Sequence, residues 1–148
     1  MKYQSTKTFG NDRGLSCAFR QPKATHSHCS LIHGYSLGFK FVFEADTLDD
    51  KNWVYDFGNT KWIKAFLEEN FDHTIAVDSK DPKLDDFKIL ETVGIAKIVT
   101  MDGVGCEKFA EHAFHFANDL VSKQTGGRCF AVSCEVREHG ANSAIYEG

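Results

Sequence analysis

The amino-acid sequence predicts an α+β fold with a largely antiparallel sheet. Segments with the two-residue alternation of β-strands lie near both ends of the chain, and two amphipathic helices lie between them. Strands followed by helices and then by further strands are typical of an α+β fold with a largely antiparallel sheet. Because 148 residues can bury one sizeable core, we predict a single domain over residues 1–148.

Two strand pieces are predicted near the N-terminus, over residues 3–9 and 15–20. The residues at positions 11–14, between these pieces, are Asn, Asp, Arg and Gly, which favour turns. A hairpin and a bulged bend are both consistent with this spacing. A loop is predicted next, over residues 21–32.

The clearest strand is predicted over residues 35–45. Its odd-numbered positions are apolar or aromatic, and its even-numbered positions include Ser36, Lys40 and Glu44. This alternation is the pattern of a sheet with one buried face. An acidic turn at 46–52 and a short strand at 53–57 are predicted after it.

Two helices are predicted from apolar residues that recur at helical spacing. The first begins after Asn59 or Thr60 as its N-cap and ends near Asn70. The second covers residues 106–123 and ends at the glycine pair 126–127. The segment 77–100 is less regular, and we expect a turn at Asp81, a short helix and a strand at 96–100. Strands at 128–137 and 144–146 complete the prediction.

Charge and apolar patterning exclude several classes of partner. The formal net charge is −4 and no basic run is present, which argues against nucleic-acid binding through phosphate contacts. The sequence contains no run of 18 apolar residues and no recognisable signal peptide, so we expect no membrane partner. The five cysteines form no Cys-x-x-Cys pair, and we predict free thiols in a reducing cytoplasm.

Groups that can move a proton or bind a metal are concentrated at residues 25–35. This segment contains three histidines, a cysteine and a tyrosine, namely His26, His28, Cys29, His33 and Tyr35. It leads directly into the clearest strand, and loops anchored on a rigid scaffold often carry functional residues. An inert, partly buried surface loop is the alternative interpretation.

Four further candidates lie along the rest of the chain. Asp72 and His73 follow the first helix, Glu107 opens the second, and Glu138 ends a strand. Cysteine, histidine and aspartate can form an activated thiol, because the histidine accepts the thiol proton and the aspartate orients the imidazole. On spacing alone, a helix terminus, a capping carboxylate and a solvated turn are the simpler interpretations.

Six short blocks of the sequence occur together in an order that chance would rarely produce. They are residues 15–20, 29–35, 53–57 with Lys61, 71–73, 105–107 and 136–146. Together they resemble the motifs of the 6-pyruvoyltetrahydropterin synthase family, which includes the bacterial 6-carboxytetrahydropterin synthases of queuosine (7-deazapurine) synthesis. The resemblance covers most of the chain.

The resemblance implies the T-fold, a four-stranded antiparallel sheet with two helices on one face. It also implies a homo-oligomeric barrel, usually a hexamer of two trimers, and a lyase that acts on 7,8-dihydroneopterin triphosphate between subunits. Carried over by position, Cys29 is the general base and Asp72 with His73 is the proton relay. Glu138 anchors the pterin ring, and Glu107 lies beside the pterin pocket.

The sequence departs from the family at the zinc ligands. The family binds zinc through three histidines, but Phe19 and Tyr35 occupy two of these positions and only His33 remains. In one interpretation the aromatic rings fill the metal's space and Tyr35 donates a hydrogen bond to the substrate. In the other, a metal site is rebuilt from His33 and a partner among His28, His26 and Cys17. Because catalytic zinc normally has three protein ligands, we expect no zinc site of the family type.

Two classes of function remain in view. The retained Cys29, Asp72, His73 and Glu138 favour an enzyme of tetrahydropterin or 7-deazapurine precursor synthesis. The replacements at Phe19 and Tyr35 favour a pterin-binding protein with a regulatory role and reduced catalysis. An epimerase acting on the same class of ligand is a third alternative.

Overall fold

The computed structural model describes residues 1–148 and contains seven strands and three α-helices. The strands are β1 Tyr3–Phe9, β2 Leu15–Phe19, β3 His33–Ala45, β4 Thr74–Asp78, β5 Ile98–Met101, β6 Cys129–Arg137 and β7 Ser143–Glu147. The helices are α1 Lys61–Phe71, α2 Leu84–Thr92 and α3 Cys106–Gln124. None of these helices combines the length and apolar character needed to cross a membrane.

The long strand β3 is the centre of an antiparallel sheet. Strand β1 pairs with its C-terminal half and β2 with its N-terminal half, both along the same edge. Strand β6 pairs with the opposite edge, and β7 extends the sheet from β6. Of the two N-terminal alternatives the bulged bend is correct, since β1 and β2 do not pair with each other. Gly14 closes this bend with φ of 76°, which suits a residue without a Cβ.

Two parallel strands enlarge the predicted four-stranded sheet. Strand β4 pairs with β2, placing Thr74 opposite Cys17, and β5 pairs with β4. Strand β4 was not predicted, because its run of only three apolar residues has no distinctive period. The expected short helix and strand within residues 77–100 are present as α2 and β5.

The core lies between one face of the sheet and the helices α1 and α3. Four consecutive odd-numbered side chains of β3 are at most 1% exposed, namely Leu37, Phe39, Phe41 and Phe43. They join one apolar cluster with Leu67 of α1 and Phe109 of α3. The ring of Phe71, at the end of α1, lies 5.0 Å from Phe39 and 5.1 Å from Phe109. The predicted buried face of this strand is therefore confirmed.

Residues 53–57, which were predicted as a strand, form an irregular segment. The Asp49 carboxylate accepts the Trp53 N–H at 3.0 Å, and the Arg128 guanidinium donates to the Val54 carbonyl at 2.8 Å. Asp56 accepts the Gly58 N–H at 2.8 Å and caps the 3₁₀ turn Phe57–Thr60 that leads into α1. Side chains thus satisfy backbone groups that a strand would pair in a ladder.

The prediction that the side chain of Asn59 or Thr60 caps α1 is also wrong. Thr60 occupies the N-cap position, but its side chain accepts no hydrogen bond from the helix. Its hydroxyl donates instead to the Phe57 carbonyl at 2.6 Å. The 3₁₀ turn ahead of α1, capped by Asp56, therefore sets the direction in which the helix starts.

Candidate functional site

Aromatic side chains converge where β2 ends and β3 begins. The strand register places Phe19 opposite His33 and Cys17 opposite Tyr35. The Phe19 and His33 ring centroids are 5.0 Å apart, and those of His33 and Tyr35 are 5.5 Å apart. Phe19 is 3% exposed and packs edge-on against Phe109 at 5.1 Å. Phe19, His33 and Tyr35 therefore lie close together at this end of the sheet, and one of the three rings is a histidine.

A second histidine extends this cluster and was missed by the sequence analysis. The ring of His139 lies 6.1 Å from that of Tyr35. His139 belongs to the loop between β6 and β7, which is closed by the Glu138 N–H donating to the Asn142 carbonyl at 3.1 Å. No local pattern in the sequence singled out His139, because its approach to Tyr35 depends on the pairing of β6 with β3.

Acidic and thiol groups surround Tyr35. Burial, followed by the charges of Glu138, Cys29 and Cys106, raises the pKa of the Tyr35 phenol. The phenol therefore stays protonated at neutral pH and is available as a neutral hydrogen-bond donor. The charges of Glu138, Cys29 and Cys106 thus act on Tyr35 at this end of the sheet.

The thiol of Cys106 is held protonated at the start of α3. Burial and the carboxylates of Glu138 and Glu107 raise the pKa of Cys106 to about 12. Three other cysteines, Cys17, Cys129 and Cys134, are buried as well, whereas Cys29 is exposed. Cys29 is therefore the one thiol of this chain that a solute can reach directly.

The loop that carries Cys29 is fixed by hydrogen bonds to its neighbours. Cys29 lies in the 3₁₀ turn His28–Ser30, and its carbonyl accepts the Gln21 N–H at 2.7 Å. The Arg20 guanidinium donates to the Ser30 carbonyl at 3.2 Å and forms two bonds to the Asp81 carboxylate, at 2.6 and 2.9 Å. These contacts attach the loop to the N-terminal end of α2.

The chain does not bring Asp72 and His73 close to Cys29. Asp72 bonds the Nδ1 atom of His73 at 2.7 Å, and His73 adopts φ of 56° just before β4. Thr74, the next residue, lies opposite Cys17, whereas the backbone of Cys29 contacts Gln21 beyond the other end of β2. Four residues of extended chain correspond to about 13 Å. Within one chain, the His73 backbone therefore lies beside the first half of β2, whereas the Cys29 backbone lies beyond its C-terminal end.

The residues at the expected metal position do not fit zinc. Phe19 has no donor atom, Tyr35 is held as a protonated phenol, and no three His, Cys, Asp or Glu side chains lie together in a metal-binding group. His26 and His28 are exposed on the loop, and burial raises the pKa of the Cys17 thiol. The described residues thus offer His33 no set of partners for a tetrahedral site.

Comparison with known sequences identifies one family. The sequence model described as 6-pyruvoyl tetrahydropterin synthase matches residues 10–148. The chain is 28% identical over 93 residues to the 6-carboxy-5,6,7,8-tetrahydropterin synthase of Bacillus subtilis, covering 63% of this chain and 62% of that protein. It is 27% identical over 114 residues to the enzyme of the same name from Aquifex aeolicus, covering 69% and 70%. The match thus spans less than two thirds of the Bacillus protein's length.

Comparison with solved structures confirms the T-fold. An uncharacterised protein from Wolinella succinogenes superimposes with a TM-score of 0.79 at 18% identity, covering 99% of this chain and 98% of that one. The 6-pyruvoyl tetrahydropterin synthase of Caenorhabditis elegans superimposes with a TM-score of 0.63 at 16% identity, covering 100% and 95%. At these identities the likeness concerns the fold.

Proposed function

Because this chain belongs to the 6-pyruvoyl tetrahydropterin synthase family, we propose that it is a lyase-type enzyme of pterin metabolism that acts on 7,8-dihydroneopterin triphosphate. The observation that carries the proposal is the placement of Cys29, Tyr35, Cys106 and Glu138 at one end of the sheet. The end of β6 pairs with β3 near Tyr35, and Gln21 donates to both the Cys29 carbonyl and the Val104 carbonyl just ahead of α3. The product is proposed to be a tetrahydropterin or a precursor of 7-deazapurines such as queuosine. A reducing cytoplasm suits the five free thiols.

Glu138 is proposed to anchor the pterin ring. A pterin presents an amide-like N–H beside an amino group, and one carboxylate can accept hydrogen bonds from both. Glu138 is half-buried at the end of β6, close enough to Cys106 and Tyr35 to raise the pKa of each. Glu107, at the start of α3, is proposed to lie beside the same ring.

Cys29 is proposed to remove the substrate proton that starts the side-chain rearrangement. Its thiol is exposed, and the loop beneath it is fixed by Arg20 and Gln21. Since Asp72 and His73 lie at the other end of β2, we propose that the relay is supplied by a neighbouring subunit. The site is then complete only in a homo-oligomer, with a hexamer of two trimers as the expected form. Sedimentation that gives a stable monomer at micromolar concentration would contradict this arrangement.

The reaction is proposed to proceed without zinc of the family type, because Phe19 and Tyr35 occupy two ligand positions. The chemical steps are therefore assigned to side chains of this chain. Tyr35 supplies a neutral donor near the substrate side chain, since its phenol stays protonated at neutral pH. Elemental analysis of the purified protein tests this assignment, and one tightly bound zinc per subunit would contradict it.

The experiment that tests the function is a product assay on 7,8-dihydroneopterin triphosphate. The purified wild type is expected to convert it, whereas Cys29→Ala is expected to lose at least about a hundredfold in kcat, as is typical when a general base is removed. His26→Ala changes an exposed residue of the same loop and serves as the matched control. Equal rates for wild type and Cys29→Ala would remove Cys29 from the reaction.

The replacements at Phe19 and Tyr35 also favour a second candidate, a pterin-binding protein with reduced catalysis and a regulatory role. The same assay separates the two. A wild type that binds pterins but forms no product supports the binding protein and contradicts the enzyme.

A further inference from the structure

Gln21 is bonded to two segments of the candidate site at once: we propose that it is a positioning residue, which fixes the distance between the Cys29 turn and the start of α3. This inference rests on the proposed function, because it takes Cys29 as the base and the start of α3 as one wall of the pterin site. It assigns a role to a residue outside the motifs that carry the family resemblance. Its effect is expected on the rate of the reaction and not on the affinity for the ring.

The backbone of Gln21 is bonded to the turn that carries Cys29. Its N–H donates to the Cys29 carbonyl oxygen at 2.7 Å, at the short end of the range for such a bond. Its own carbonyl accepts the Ala24 N–H at 3.0 Å, in the turn that follows β2. The Cys29 N–H donates in turn to the Ser27 hydroxyl at 3.1 Å. The position of the Cys29 turn is therefore set relative to Gln21.

The side chain of Gln21 reaches the segment that leads into α3. Its Nε2 atom donates to the Val104 carbonyl oxygen at 2.7 Å. No backbone N–H is paired with this carbonyl, and Val104 itself is 6% exposed. A buried carbonyl without a donor costs free energy, so this bond holds the Gln21 amide in place.

Gly105 leaves room for the amide. A Cβ atom at this position would lie 2.6 Å from Nε2 of Gln21, closer than van der Waals contact allows. Gly105 also has φ of 106°, in the region that favours glycine. It is the N-cap of α3, and Cys106 and Glu107 follow it directly. The bond from Gln21 to Val104 is therefore within three residues of both of these candidate site groups.

One residue thus connects the proposed base to the proposed wall of the ring site. The Arg20 and Asp81 pair holds the same loop against α2, so it does not set the distance to α3. Without its side chain, residue 21 would keep its backbone bond to the Cys29 turn, but the two could shift together relative to α3. A reacting group displaced by about 1 Å can lose about a hundredfold in rate. The Glu138 carboxylate would stay in place, because β6 holds it.

The test replaces the amide with a neutral side chain of the same length. Gln21→Met removes the donor and keeps an unbranched chain of similar size. We expect kcat on 7,8-dihydroneopterin triphosphate to fall by about tenfold or more, whereas the affinity for 7,8-dihydroneopterin, measured by calorimetry, stays within about twofold. Retained affinity also shows that the variant is folded. Amide hydrogen exchange should become faster at residues 21–31 and at the start of α3, and should be unchanged in the rest of the chain.

Two further variants identify the hydrogen bond as the cause. Gln21→Lys keeps an N–H donor that can reach the Val104 carbonyl, and it is expected to recover most of the rate. Gln4→Met makes the same replacement on β1, where the amide donates to the Glu44 carboxylate at 2.8 Å, at the C-terminal end of β3 and away from the candidate site. This control is expected to keep the wild-type rate and the wild-type exchange at residues 21–31.

Each other outcome overturns the inference or the function beneath it. Unchanged exchange at both segments in Gln21→Met shows that the side chain does not hold them together. Faster exchange with an unchanged kcat refutes the positioning role and leaves the proposed function in place. A loss of dihydroneopterin affinity as large as the loss of kcat shows that Gln21 serves the ring or the fold, and a Gln21→Lys variant as slow as Gln21→Met refutes the donor role. A wild type that forms no product removes the proposed function, and the positioning role falls with it.

Discussion

Replacing Asp81 with Asn should destabilise the protein and loosen the loop that carries Cys29. The Asp81 side chain is 1% exposed and accepts three bonds, two from Arg20 at 2.6 and 2.9 Å and one from the Lys83 N–H at 2.8 Å. In the variant, an amide N–H would face the Arg20 guanidinium and leave that charge without its partner.

The size of the effect follows from the exposure of the two partners. Breaking a fully buried ion pair costs about 3–5 kcal/mol, because one charge remains buried and unpaired. The Arg20 side chain is 19% exposed, so water can compensate part of the loss. We therefore expect a loss of about 2 kcal/mol in the free energy of unfolding. With an m-value of about 2 kcal/mol/M, the urea midpoint would fall by roughly 1 M.

The pH dependence of this effect has a definite sign. The hydrogen bonds and charge of Arg20 lower the pKa of the Asp81 carboxyl below its ordinary value. The pair therefore stabilises the native state above the unfolded pKa of about 3.9, and this stabilisation is lost as the pH falls through the lowered native pKa. The difference between wild type and Asp81→Asn should thus be full at pH 7 and shrink below about pH 4.

The assay is urea unfolding at several pH values, with Asp50→Asn as the control. Asp50 pairs with Lys51 at 3.2 Å on the surface, where water screens the two charges and the pair contributes little to stability. A loss below about 0.5 kcal/mol for Asp81→Asn, or a loss equal to the control's, would show that the pair does not hold the loop.

Three other predictions concern the site. Cys29 should react with a thiol reagent faster than the four buried cysteines; mass mapping that finds Cys106 labelled first would exclude Cys29 as the base. Glu138→Ala should abolish pterin binding and shift the melting temperature by only a few degrees, and unchanged affinity would remove Glu138 from the site. Tyr35→His alone should bind no zinc, whereas adding Phe19→His should give about one zinc per subunit, by the three-ligand rule; zinc in the single variant would contradict this reasoning.

The parts of the fold that could be predicted depend on strong local patterns. Strand β3 was clear because large apolar side chains alternate over many residues, and α3 because its apolar stripe is long. Strand β4 has five residues and an apolar run without a period, so the sequence could not separate it from a loop. Residues 53–57 have a strand-like composition, but distant side chains such as Arg128 bind their backbone.

Much of the candidate site depends on contacts that local patterns do not contain. The convergence of Phe19, His33 and Tyr35 was expected from the family motifs and is present in the chain. The separation of Cys29 from His73 follows from the pairing of β4 with β2, which the sequence did not reveal. His139 approaches Tyr35 only because β6 pairs with β3 across the sheet, more than a hundred residues along the chain.

Strand β3 contributes core residues along most of its length and candidate site residues at its start. From Leu37 onward its inward side chains are buried beneath the helices, whereas His33 and Tyr35 at its start remain only partly covered. A change at the start of the strand therefore removes little of the packing that stabilises the sheet. A substitution at His33 or Tyr35 can therefore change the chemistry offered to a ligand while the scaffold stays folded.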